Sequence, residues 1–165
     1  MDLDIATTED RKGIWKHIED TRIAFFTTVS EDHGLRARPL TTQRVDGETT
    51  VWFFIARDSD LARDVESNSR ALLTFCNQGD SFYASLSGAA RVMVYPVQAR
   101  QMWSKLNEAW FPGGPEDPNL ALLRVDVEHG EMWEPSTNKL MQFLSIAAAA
   151  VTHTKPDEGV HKTIQ

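Results

Sequence analysis

The chain reads as a mainly β domain with flanking helices, an antiparallel β-barrel or half-barrel. Three observations carry that reading. Segments such as "SFYASLSGAARVMV" place apolar or small residues at every second position, the period of a strand. Turn residues such as "EDHG" and "DG" separate those segments at short intervals. Only a few stretches show the three-four spacing of an amphipathic helix, so the helices pack outside a sheet. At 165 residues there is length for one domain with a sizeable core, taken as residues 1–152 followed by a polar tail over 153–165.

Residues 8–21 predict the first helix: Ile14 and Ile18 lie four apart beside Trp15, and Thr7 or Thr8 can cap the start. The runs "RIAFFTTVS", "LRARPLTTQRV" and "TTVWFFIA" then predict three consecutive antiparallel strands. A helix begins within "FFIARDSDLARDV", and "RALLTFCN" and the long alternating segment follow as strands. In that segment Phe82, Ala84, Leu86, Gly88, Ala90, Val92 and Val94 share a face, and its small residues point to a close approach of backbone or ligand near Gly88. Pro96 suits the first turn of a helix carrying Ala99, Met102, Trp103, Leu106 and Trp110, which "FPGGPEDP" breaks. "LALLRVDVEHGEMW" returns to strand periodicity, with Ala121, Leu123, Val125 and Val127 on one face. A last helix is expected from about Thr137, carrying Leu140, Phe143, Leu144 and Ala147, and from His153 onward the chain is polar and frayed.

A composition of 41% hydrophobic and 25% charged residues is that of a globular protein, and a formal charge of −7 argues against a nucleic-acid surface. The Met-Asp-Leu-Asp start lacks the pattern of a signal peptide, and the longest apolar run, near residues 143–151, is too short to span a bilayer. The expectation is a cytoplasmic protein with neither nucleic acid nor membrane as a partner. The sole cysteine, Cys76, sits in an apolar strand-like run and reads as a buried, inert thiol.

Motifs for protein-built chemistry are missing. The five histidines are isolated, with no His-x-x-x-His or Cys-x-x-Cys spacing, so no metal site is expected. There is no Gly-x-Ser-x-Gly, Gly-x-Gly-x-x-Gly or Gly-Lys-Ser/Thr. Redox chemistry would need a borrowed cofactor. What stands out is placement. Arg36 and Arg38 share a strand face beside Pro39, which lacks an N–H and marks an edge or bulge. Two forked donors there can hold a phosphate or a carbonyl-rich ring, or can simply be a solvated strand face. Trp52 and Phe54 share the strand face opposite Phe53, as core or as a stacking platform. The "FFIARDSDLARDV" corner has the strand-corner-helix form of an anion seat. The same letters also make a plain helix start: Asp58 or Ser59 is an N-cap, Asp60 favours the helix dipole, and Leu61 with Val65 forms an apolar stripe.

The order of "RARPL" (36–40), "VWFFIARDSDLARDVESNSRALLTF" (51–75), "SLSGAARV" (85–92), "WFPGGPEDPNLALLRV" (110–125) and "EMWE" (131–134) resembles the pyridoxamine 5'-phosphate oxidase-like FMN-binding split β-barrel superfamily, in its general stress protein branch. The resemblance covers roughly residues 8–135. It implies a six-stranded split barrel and a homodimer with FMN, or another small molecule, at the subunit interface. By that resemblance Arg36, Arg38, Pro39 and Leu40 run along the flavin, Phe54 and Ile55 end the third strand beside it, and Ser59 matches a phosphate-loop serine. Trp110, Phe111 and Trp133 are candidates for closing the site across the dimer, each with interface or core packing as the alternative. Relatives place a threonine after the aromatic and basic residues after the serine, where this chain has Ile55, Asp60 and Leu61. Losing one charge-assisted hydrogen bond costs ~1.5–3 kcal/mol, which makes FMN binding weak unless Arg57 or Arg63 compensates. Arg63 points away around the helix. The implied function is an FMN-binding protein whose chemistry is flavin-dependent oxidoreduction of an unassigned substrate. The alternatives are a non-catalytic binder of another small ligand and a stress-associated dimer without one.

Overall fold

Side-chain alternation drives the first long strand: in Ile23–Ser30, Ala24, Phe26, Thr28 and Ser30 are buried while Ile23, Phe25 and Val29 face out. In the computed structural model, residues 4–5, 8–47, 49–134 and 160–164 are described. In chain order they form β1 (Asp4–Ile5), α1 (Thr8–Thr21), β2 (Ile23–Ser30), β3 (Gly34–Asp46), β4 (Thr50–Ala56), α2 (Asp60–Ser67), β5 (Arg70–Asn77), β6 (Phe82–Met93), α3 (Pro96–Met102), β7 (Leu120–Glu134) and β8 (Val160–Ile164). Two short 3-10 turns, Lys105–Ala109 and Gly114–Glu116, lie between α3 and β7.

The sheet runs β7-β4-β3-β2-β5-β6, and β6 pairs again with β7, so six antiparallel strands close into a barrel with helices outside it. This is the expected fold class. The predicted meander is β2-β3-β4, after which the chain crosses through α2 to the far side of β2. The main core fills the barrel with Phe26, Phe53, Phe75, Phe82, Leu73, Leu86 and Leu123, all fully buried, and Ile14, Trp15 and Ile18 of α1 join it. A second cluster lies on the other face of β4. There Trp52 and Phe54 pack with Ala99, Met102, Phe111, Leu120 and Leu122.

The close approach expected at Gly88 is one of backbone: a Cβ there would lie 2.0 Å from the Asp126 carbonyl oxygen, at the bulge between Ser87 and Gly88. Gly34 and Gly47, at the ends of the two hairpin turns, take φ of 66° and 60°, which glycine adopts freely.

Three expectations are corrected. Cys76 is exposed, because β5 buries Ala71, Leu73 and Phe75 and the alternation turns Cys76 outward. The helix after Pro96 ends at Met102, so Leu106 and Trp110 are not on its packed face and stand 71% and 82% exposed. Val160–Ile164, read as frayed, is a strand that pairs with β7 and, in parallel, with β1. The helix expected from Thr137 and the capping side chains at Thr7 and Thr8 lie outside what is described.

Candidate functional site

The barrel is open along one seam. Residues 34–41 of β3 pair with β2, but pairing to β4 begins only at Thr42↔Phe53, and residues 54–56 of β4 pair with β7 alone. Pro39 lies on this unpaired stretch, where its missing N–H costs no ladder bond. The strands part around a cavity of about 890 Å³. Arg36, Arg38, Pro39 and Leu40 line one side, Phe54, Ile55, Ser59, Asp60 and Leu61 another, and Trp110 and Phe111 cover it. Eleven of the thirteen site candidates therefore surround one space. Arg57 and Trp133 do not line it; Trp133 is placed on β7 opposite Tyr83 and His161.

The corner after β4 is tied to its own framework. The Arg57 N–H donates to the Asn119 carbonyl at 2.7 Å, the Asp58 N–H to Asn119 Oδ1 at 3.2 Å, and the Ser59 N–H to the Ala56 carbonyl at 3.2 Å. Ser59 caps α2, its Oγ accepting from the Ala62 N–H at 3.2 Å. Arg63 turns back on the corner, donating to the Asp58 carbonyl at 2.8 Å and to the Asp60 carboxylate, which also lies 3.9 Å from Arg36. Leu61 is buried in the main core with Val65, the apolar stripe the spacing predicts.

Arg38 is anchored. Its Nη2 donates to Asp64 Oδ2 at 2.6 Å and its Nη1 to Thr28 Oγ1 at 3.0 Å, joining β3 to α2 and β2 below the cavity. Thr28 also donates to Asp64 Oδ2 at 3.2 Å. Burial pushes the Asp64 carboxyl up, but the hydrogen bond and charge of Arg38, with the Thr28 and Ser30 hydroxyls, outweigh it and hold Asp64 below its ordinary value. Two of the five guanidinium N–H groups are engaged here, so the fork is oriented and still has donors for a ligand.

Sequence reasoning missed the far end of the cavity, where Arg22, Gln43, Ser104 and Asn107 line it. Asn107 is buried and donates to Gln43 Oε1 at 3.2 Å and to Ser104 Oγ at 3.3 Å, while its carbonyl accepts the N–H of Phe111 at 3.0 Å. This pins the turn so that Phe111 enters the second cluster and Trp110 stays out over the cavity. Gln43 was reachable by extending the period-two pattern beyond Pro39 and Thr41. Asn107 had no such signal, because its place depends on α3 stopping at Met102. Arg22, at the α1–β2 junction, has φ of 58°, an unusual conformation for a residue with a side chain. Among the described residues, no cluster of histidine, cysteine and carboxylate side chains could hold a metal, and no helix is long and apolar enough to cross a membrane.

Six strands close this barrel except at the one seam over the cavity, and the sequence model of the pyridoxamine 5'-phosphate oxidase-like proteins matches residues 9–157. The chain belongs to that family. Within the family's fold, a general stress protein 26 from Jannaschia sp. CCS1 superposes with a TM-score of 0.77 at 27% identity, covering 96% of this chain and 99% of the other. A general stress FMN/FAD binding protein from Xanthomonas citri gives 0.71 at 30% identity, covering 80% and 93%. Protein bli-3 of Neurospora crassa is 24% identical over 64% of this chain. The chain spans about half of that curated relative, 54% of its length.

The family implies a flavin, and the cavity meets its two halves differently. Phe54, Ile55, Leu40 and Trp110 give apolar contact that suits a planar ring, while at the far end the Asn107 amide donates to Gln43 and Ser104 and the Gln43 amide to the Thr41 carbonyl, so this end is polar but largely self-bonded. The corner suits a phosphate poorly: the N–H groups of Arg57, Asp58, Ser59 and Ala62 are spent, Asp60 brings a negative charge, and Leu61 brings no donor.

Proposed function

We propose that the chain is a flavin-binding protein of the general stress type, with the isoalloxazine ring seated in the open seam. The single observation that carries this is the apolar-walled cavity of about 890 Å³ with an anchored Arg38 below it, in a chain of this family. A bound flavin supplies hydride or electron transfer, and on this reading the protein is an FMN-dependent oxidoreductase of unassigned substrate. The protein's part is to bind and orient: the apolar walls exclude water, and the fixed Arg38 fork presents positive charge to an electron-rich ring edge or tail. The cytoplasm is the compartment that goes with this reading.

The same reading makes the working unit a homodimer. Trp110 and Leu106 stand exposed at the cavity, and the outer barrel face carries exposed Phe25, Leu35, Leu72 and Tyr83, an apolar surface that a second copy would cover. A monomeric mass by light scattering would refute the dimer. A non-catalytic binder of another flat small molecule is the second reading, favoured by the spent donors at the Ser59 corner. Titration of the apo protein with flavins, followed by quenching of ring fluorescence, separates the two. Saturable quenching by any flavin supports the first reading, and no quenching at high micromolar concentration sinks it.

A further inference from the structure

We propose that this pocket selects a flavin by its ring and uncharged hydroxylated tail, taking the non-phosphorylated form about as well as the phosphate ester, and that Asp60 is the residue that sets this indifference. The inference rests on the flavin reading above and adds which flavin the chain is built to hold.

Four features of the Ser59 corner lead there. A phosphate dianion is held by converging donors and unspent positive charge. In this corner three successive backbone N–H groups are drawn away from the cavity, those of Arg57 and Asp58 to Asn119 and that of Ser59 to Ala56. The Ser59 hydroxyl oxygen is used as the α2 cap, which leaves that side chain only its O–H to offer. Asp60 sets a carboxylate at the start of α2, where the dipole would otherwise favour a bound anion. The two arginines that line this side of the cavity each already face a carboxylate: Arg36 lies 3.9 Å from Asp60, and Arg38 is bonded to the buried Asp64 at 2.6 Å.

The arrangement is consistent from one residue to the next, since Asp60 also holds Arg63 against itself, and Arg57, the other arginine of the corner, does not line the cavity. A ligand ending in hydroxyl groups loses nothing here, because hydroxyls can accept from Arg38 and donate to Asp60. A dianion meets Asp60 as a like charge. The two effects offset the attraction of Arg36 and Arg38 for phosphate.

Riboflavin and FMN are the probes, since they differ only in the phosphate. Dissociation constants for both are measured on the full chain by fluorescence quenching, for wild type and for Asp60→Asn. Asp60 is 62% exposed on its side chain, so the variant keeps the fold. In wild type the two constants should agree within about tenfold, less than one full charge-assisted phosphate contact would contribute. In Asp60→Asn, FMN affinity should rise about tenfold relative to riboflavin, as Arg36 and Arg63 are released toward the phosphate. A wild-type preference for FMN of tenfold or more overturns the inference and leaves the flavin reading standing. An unchanged ratio in Asp60→Asn also overturns it. Failure of both flavins to bind overturns the flavin reading together with the inference.

Discussion

β6 and β7 stay paired from Tyr83↔Trp133 to Met93↔Leu122, whereas β3 and β4 are paired only from Thr42↔Phe53 to Asp46↔Thr50. At the closed seam the backbone groups are consumed by the ladder and the strands approach so closely that Gly88 has no room for a Cβ. At the open seam backbone edges and side chains are left to face a cavity. The same barrel thus separates its tasks: the closed seam carries stability, and the open seam gives some of it up for a binding space bordered by ion pairs.

The largest test of that contrast is on the closed side. Leu86→Ala removes a fully buried side chain that β6 sends from the closed seam into the main core, and should cost about 2–5 kcal/mol in urea unfolding. Gly88→Ala forces a methyl against the Asp126 carbonyl and should cost about 1–3 kcal/mol, since backbone on both sides must shift. A loss under half a kilocalorie in either would mean that the closed seam does not hold the fold, and the contrast would fail.

Below the open seam lies the Arg38–Asp64 pair. Asp64→Ala leaves Arg38 unpaired below the cavity and should cost about 3 kcal/mol, at the low end for a buried pair because Arg38 keeps one-fifth of its side chain exposed. Its pH dependence follows from the direction of the Asp64 shift. A carboxyl held below its ordinary value of 3.8 contributes stability that is fully present above that value and lost as pH falls through the lower, folded one. The stability gap between wild type and Asp64→Asn should therefore be constant near neutrality and close below pH 3.8. A gap that stays open at pH 2 would show that the carboxylate charge is not what anchors Arg38.

The smallest effect on stability is expected on the open side. Trp110→Ala should change the unfolding free energy by less than about 0.5 kcal/mol, because 82% of the residue is exposed. The same variant should weaken flavin binding several-fold. A large stability loss instead would make Trp110 a packing residue and would blur the division between the seams.

Much of the site was legible because strand periodicity is local. Alternation puts Arg36 and Arg38 on one strand face and the helix start marks the corner at Ser59, while the family resemblance points to Pro39, Leu40, Phe54 and Ile55, and all of these line one cavity. Arg57 and Trp133 could not be separated from them by letters alone, since both sit on the right segments and only the course of the chain removes them from the lining. Cys76 went the wrong way for a related reason: an apolar neighbourhood in sequence does not say which face of β5 a residue takes. The three-four spacing through Leu106 and Trp110 was real, but the helix stops at Met102, and Asn107 fastens the next turn to β3 instead.

By itself the sequence determined the class of fold, the order of strands and helices from α1 to β7 and a close approach at Gly88, and it narrowed the α2 cap to Asp58 or Ser59, because side-chain alternation, glycine geometry and capping act within a few residues. Tertiary structure alone decided where the barrel opens, that Arg38 is bound to Asp64, and that Asn119 takes the donors of the Ser59 corner. Those contacts join residues 26 and more positions apart, and the charge left over at the cavity depends on which of them form.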